Sequence, residues 1–302
     1  MRAVLHSKRH RLYRSHRFRA AIAAIALTVM AGGATPASAK PQRIVSMNVC
    51  ADQLVMLLAD RDRIASISFL AADPYASALA GAAVEFRLNY GLSEEILPMN
   101  PDLVLASAFT TRSTLFLLRK LGYPVVELPV ASSLDDIRSN IRTVAKAIGE
   151  EARGEAMIAA FDAELPRQVA PSGPRPLAAL YWANGYTSGI GTLANAAVEA
   201  AGFRTLGRQL DLVGTSQLPL ETLLVSNADV IIIGQRRDGA ALANETFRHS
   251  ALREIFARRP SIEVPDYLWV CATPFIAKAI RQLAEARKAL RRSGSTGVER
   301  IW

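Results

Sequence analysis

Histidine and cysteine are scarce in this chain of 302 residues. Three of the four histidines (His6, His10, His16) crowd the N-terminus, which leaves His249 alone in the rest. A directly bound zinc or manganese ion draws on several His or Cys ligands, so no metal centre is expected. A Ser-His-Asp triad would have to run through His249, which falls on a predicted surface helix with no nucleophile motif nearby. Acid is missing from the start of the chain, where none precedes Asp52. Seven basic residues (Arg2, Lys8, Arg9, Arg11, Arg14, Arg17, Arg19) lie before Ala20. Removing these seven from the 36 leaves 29 basic against 27 acidic residues, so the net charge drops from +9 to +2. The basic balance is therefore local, and no nucleic-acid partner is implied. Long apolar runs are absent as well. Ala20 to Ala31 falls short of the about 20 residues that a spanning helix needs.

What is present at the start reads as an export signal. A basic segment, a short apolar segment, and then Ala37-Ser38-Ala39 form the order of a cleavable secretory signal peptide over residues 1–39. The mature chain is expected to begin at Lys40, as a soluble periplasmic protein. Cys50 and Cys271 then enter an oxidising compartment where pairing is permitted. The sequence leaves a bridge and two buried thiols equally open, because spacing does not report separation in space.

The chain writes one stretch twice. Glu94-Glu95-Ile96-Leu97-Pro98-Met99-Asn100-Pro101-Asp102-Leu103-Val104-Leu105 returns as Glu221-Thr222-Leu223-Leu224-Val225-Ser226-Asn227-Ala228-Asp229-Val230-Ile231-Ile232. Each copy reads as a short helix, a turn at Asn-x-Asp, and a strand buried on both faces. The separation is too long for a solenoid, so two similar α/β lobes are expected. Strands over 43–47, 64–69, 103–106 and 125–128 alternate with helices over 51–59 and 111–121, the pattern of a parallel sheet. A capping box at Ser133-x-x-Asp136 opens a helical stretch, kinked at Gly149 and stopped by Pro166. It runs for roughly 45 Å at about 1.5 Å per residue. The Pro/Gly-rich segment 171–176 reads as a linker. Beyond it come strands over 177–182, 230–233, 262–264 and 268–270, helices over 193–201, 247–257 and 274–291, and a tail. The domain reading is 40–132 for the first lobe, 133–168 for a connecting helix, 169–292 for the second lobe and 293–302 for the tail.

No catalytic constellation emerges. The glycine-rich turn Gly185 to Gly191 follows a strand, but it lacks the Lys-Ser/Thr ending of a P-loop and the dinucleotide spacing. Polar and aromatic residues gather instead at strand ends: Asn48, Asn89, Tyr90, Phe109, Tyr181, Trp182, Asn184, Tyr186, Trp269 and the pair Arg236-Arg237. Ligands of open α/β sheets bind outside the carboxyl ends of strands, so two facing lobes would line a cleft with this set.

An export signal, two lobes and Glu-x-x-Leu-x-x-Asn-x-Asp in each resemble the periplasmic substrate-binding proteins that deliver ferric siderophores, haem or cobalamin to ABC importers. Arg43-Ile44-Val45-Ser46-Met47-Asn48 and Asn100-Pro101-Asp102-Leu103-Val104-Leu105 carry the resemblance, which covers roughly residues 41–290. It implies two Rossmann-like lobes with parallel sheets, a single long connecting helix and a ligand cleft between them. It implies a non-enzymatic, monomeric receptor for a ferric siderophore or related iron chelate, with cobalamin as the alternative. No cofactor is implied beyond iron carried inside the chelate. Glu94 and Glu221 match the glutamates that dock this family onto the membrane permease, with Glu95 also available in the first lobe. A different class remains open, a secreted enzyme on a doubly wound sheet using Glu94 or Glu221 as acid or base.

Overall fold

The computed structural model describes residues 39–165, 175–235 and 249–293. Residues 1–38, where the signal peptide is expected, Arg236 and Arg237, most of the expected linker and most of the expected tail lie outside the described residues. In the first lobe, Ile44–Ser46 (β1), Ile64–Ser68 (β2), Leu88–Asn89 (β3), Leu103–Ser107 (β4) and Val125–Leu128 (β5) form one parallel sheet ordered β3-β2-β1-β4-β5. Helices Val49–Leu58 (α1), Ser93–Ile96 (α2) and Arg112–Lys120 (α3) connect them. In the second lobe, Leu177–Leu180 (β6), Arg204–Thr205 (β8), Val230–Gly234 (β10) and Ser261–Val264 (β11) form a parallel sheet ordered β11-β10-β6-β8. Tyr186–Ser188 (β7) and Thr215–Gln217 (β9) pair antiparallel outside it. The described helices of the second lobe include Leu193–Ala200 (α6), Leu220–Val225 (α7), Ser250–Arg258 (α8) and Ile276–Ser293 (α9).

The repeated stretch has one structural job in both lobes. Asp102 accepts hydrogen bonds from the backbone N–H groups of Gln42 (2.7 Å) and Arg43 (2.8 Å), and its own N–H reaches Arg43 O. Asp229 accepts from Leu177 N–H at 2.7 Å, and its N–H reaches Leu177 O. Each Asp thus fixes the start of the strand beside its own, β1 against β4 and β6 against β10. Charge-assisted bonds of this kind are among the stronger hydrogen bonds. The Asn does not repeat its role, since only Asn100 takes the left-handed conformation, at φ 44°.

The connector departs from the single long helix read in the sequence. Leu134–Ile148 (α4) and Glu151–Glu164 (α5) are separate helices that fold back on each other. The capping box is formed, with Asp136 N–H donating to Ser133 Oγ and Ser133 N–H to Asp136. At the far end Gly149 adopts φ 71°, and Glu150 N–H bonds Ala145 O, which closes a glycine C-cap. Gly154 then packs so tightly that a Cβ there would lie 2.6 Å from Ala145 Cβ. Arg142 pairs with Glu155 and Arg138 with Asp162, the contacts of antiparallel helices. Apolar periodicity continues through Gly149, so the pattern alone does not separate a kink from a reversal.

Smaller differences have local causes. The helix expected over 247–257 starts at Ser250, with His249 as its N-cap. Residues 268–270, expected as strand, end a tight turn in which Trp269 and Val270 both donate to Asp266 O. The glycine-rich turn serves packing, because Gly189 lies against the Leu212 carbonyl with no room for a Cβ. One apolar core runs from α1 and β1 through α4 and α5 to α6, β6 and α9. The lobes therefore share buried surface as well as a connection.

Candidate functional site

In the first sheet the strand order reverses between β1 and β4, and in the second between β6 and β10. Crevices open at the carboxyl ends of strands at such points. Asn48, which follows β1, caps α1 by accepting Cys50 N–H at 3.0 Å. Ser107 ends β4, and Phe109 follows it. These residues line a cavity of about 60 Å³ together with Leu54, Leu128 to Ala131, Asn140, and Leu193, Val270 and Ala272 of the second lobe. The cavity therefore lies between the lobes, with the connector helix α4 contributing Asn140. Among the described residues its lining carries no charged side chain. Phe109 is 80% exposed, and Val130 and Val270 are each 59% exposed, so its surroundings are apolar and open.

A disulfide joins Cys50 to Cys271, with Cα atoms 5.0 Å apart. This decides the alternative that the sequence left open. The bridge spans 221 residues and ties α1 of one lobe to the segment before α9 of the other. Cross-links closing long loops restrict the unfolded chain most in the loop-entropy account. It also limits how far the two walls of the cleft can separate.

The residues read from the sequence divide into three groups. Asn48 and Phe109 reach the cavity. Tyr90 is exposed on the first lobe and stacks on Phe69, ring centroids 4.8 Å apart. Trp182 and Trp269 meet edge to face at 5.4 Å, next to the cavity through Val270, and the Trp182 indole N–H donates to Ser188 Oγ. Tyr186 is partly exposed on β7, and Asn184 sits in the left-handed turn before it at φ 58°. The third group is inside. Asn89 is fully buried, donating to Ser46 O and Ser66 Oγ while its own carbonyl accepts Gly91 N–H. That leaves it no surface for a ligand. Tyr181 is buried in the second lobe's core, where burial, and secondarily the Glu221 charge, push its phenol upward. The sequence reading passed over Phe69, Val130, Val270 and Asn140. Phe69 directly follows β2, so the strand-end rule that picked the others reaches it too.

Among the described residues no group of three or more His, Cys, Asp or Glu side chains converges as a metal site. The two repeat glutamates stand outward. Glu95 is engaged, its carboxylate accepting Tyr90 N–H at 2.7 Å and Leu92 N–H at 3.4 Å. Glu94 and Glu221 are exposed in the first turns of α2 and α7.

Solved structures share this fold. The periplasmic haem-binding protein RhuT from Roseiflexus sp. RS-1 superposes with a TM-score of 0.64 at 22% identity, covering 83% of this chain and 98% of that one. The vitamin B12 binding protein BtuF of Vibrio cholerae gives 0.61 at 18% identity, covering 84% and 99%. Among curated proteins, the cobalamin-binding protein of Halobacterium salinarum is 27% identical over 213 residues, covering 66% of this chain and 55% of that protein. The chain thus spans about half the length of the curated relatives it matches. Residues 44–257 match the family model described as periplasmic binding protein, and the chain belongs to that family.

Proposed function

We propose that this protein is the extracytoplasmic, monomeric capture component of an ABC importer, taking a bulky metal chelate into the interlobe cleft and presenting it to the membrane permease. The observation that carries this reading is the cavity between the lobes, uncharged among its described lining residues and ringed by exposed Phe109, Val130 and Val270. Aromatic and aliphatic walls suit the organic shell of a chelate, and a neutral shell needs no buried counter-charge. A neutral ferric siderophore of the hydroxamate type fits these walls better than a multiply charged catecholate. Cobalamin is the second reading, favoured by the cobalamin-binding name of the curated relatives.

Trp182 and Trp269 touch each other, and Trp269 adjoins Val270 of the cavity wall in sequence, so this pair provides the readout. Ferrichrome and cyanocobalamin are each expected to quench tryptophan emission saturably when titrated, with haem and ferric enterobactin weaker. Silence with all four ligands would overturn the reading.

Docking is assigned to Glu94 and Glu221, which are exposed on separate lobes, whereas Glu95 is occupied in its own helix. Charges at fixed separation on a rigid body steer and orient association. The double variant Glu94→Ala/Glu221→Ala is expected to lose stimulation of importer ATPase while ligand affinity stays within twofold. A loss of ligand affinity instead would place these acids in binding.

A further inference from the structure

Part of the second-lobe wall of the cavity is a turn and not a strand. Residues 265–275 connect β11 to α9, and Val270 and Ala272 of this segment line the cavity. Among the described residues, the backbone N–H groups of Leu268, Trp269, Val270 and Thr273 find acceptors inside the segment, at Pro265, Asp266 and Cys271. These bonds shape the turn without tying it to a strand. Leu268, Trp269 and Ala272 are buried, but burial is non-directional and does not by itself fix where along the core the turn rests. The disulfide supplies a directional constraint. Cys271 stands between the two wall residues of the turn, and Cys50, two residues beyond Asn48, is itself part of the opposite wall. The bond therefore joins the walls at the lining of the cavity, with the two Cα atoms 5.0 Å apart.

We propose that the Cys50–Cys271 bridge is a redox-sensitive brace, which positions the wall formed by Val270 and Ala272 against the first lobe and whose reduction by a dithiol weakens ligand binding. The dithiol passes two electrons and two protons to the bridge, leaving Cys50 and Cys271 as thiols and itself as a disulfide. Binding groups work when they are held within about 0.5 Å of the productive geometry. With the bridge closed, the wall is set before the ligand arrives, which lowers the ordering cost of binding. With the bridge open, part of the binding free energy goes into ordering the turn. The inference rests on the proposed capture of a chelate in this cavity and adds a control on its affinity. Linkage makes the coupling reciprocal, so a bound ligand protects the bridge by the same factor that reduction weakens the ligand.

The test uses the full mature chain in three forms: oxidised, reduced with dithiothreitol, and as Cys50→Ala/Cys271→Ala. Hydrogen exchange of residues 265–275 needs no ligand. These amides are expected to exchange at least roughly tenfold faster in the reduced protein and in the double variant, with β10 amides unchanged and protection restored on reoxidation. Unchanged exchange in 265–275 overturns the brace. Loss of protection in β10 as well would make the bridge a global cross-link and overturns it too. Ferrichrome and cyanocobalamin are then titrated at a temperature where all three forms are folded. Whichever probe binds the oxidised protein is expected to bind the other two at least roughly tenfold more weakly, through faster dissociation. The same probe should raise the ratio of reduced to oxidised dithiothreitol at half-reduction by that factor. Equal affinity across the three forms, with only a lower melting temperature, overturns the proposal. If neither probe binds the oxidised protein, the capture reading fails, and exchange alone decides whether the bridge positions the wall.

Discussion

Glu150→Ala is expected to lower the free energy of unfolding by about 3–5 kcal/mol, the usual cost of stranding one member of a buried ion pair. Glu150 and Arg63 meet at 2.6 Å with side chains only 8% and 6% exposed. The Arg63 guanidinium also donates to Pro41 O at 2.8 Å and to Ile148 O, an end carbonyl of α4. One cation therefore gathers the start of the described chain, the C-terminus of α4 and the acid that opens α5. Removing the carboxylate leaves that cation desolvated with only carbonyl partners. Domains are stable by about 5–15 kcal/mol, so the loss is a large fraction of the total. Urea unfolding of Glu150→Ala and of Arg63→Met/Glu150→Leu separates the pair from its desolvation. The double variant is expected to recover most of the stability, because apolar replacement of both partners is often neutral. If the double variant is as unstable as the single one, the pair's geometry rather than a stranded charge is what holds the turn. The effect should also reach ligand binding, since α4 carries Asn140 into the cavity wall.

This cluster shows where the sequence stopped being legible. The alternation of strands and helices, apart from residues 268–270, and the Ser133 cap rest on neighbours in sequence and are formed as read. The repeat announces Asp102 and Asp229 but not the partners they reach, 52 to 60 residues away. The reversal at Gly149 depends on Arg63, 87 residues from Glu150, and on Arg138 meeting Asp162. No local window contains those partners. The site follows the same division. Asn48 and Phe109 are legible because ligands of such sheets bind beyond the carboxyl ends of switch-point strands, and both residues line the cavity there. Asn89 closes its own strand and Tyr181 directly follows one, but both side chains remain turned into the interior. Val130, Val270 and Asn140 carry no type signal at all, and only the approach of one lobe to the other makes them a wall.

Asp52→Asn is expected to stabilise the protein at pH 8 and to leave it unchanged or weaker at pH 4. Asp52 sits in the first turn of α1, wholly buried, and accepts hydrogen bonds from Ser68 N–H at 3.2 Å and from the Ser68 hydroxyl. Burial is the dominant influence and pushes its carboxyl from the ordinary 3.8 up to about 7, against the hydrogen bonds that favour the anion. The helix N-terminus should favour the anion as well. The unfolded chain releases this proton near 3.8, whereas the folded chain holds it until near 7. Between those values the folded state binds more protons, so stability falls as pH rises, by about 1.4 kcal/mol per pH unit. The penalty is absent below the unfolded value and complete above the folded one, with a ceiling of about 4 kcal/mol. Asparagine keeps an acceptor for Ser68 N–H and a shape close to aspartate while removing the charge. Urea unfolding at pH 4, 5.5 and 8 should therefore show the gap between variant and wild type opening in the variant's favour as pH rises. A gap that stays constant across the three would mean that Asp52 titrates in the folded protein as it does in the unfolded chain. The acid lies two residues from Cys50, on the helix that joins the first lobe's crevice to the disulfide. Its loss of proton near neutral pH would then loosen the same helix end that carries Asn48 into the cavity.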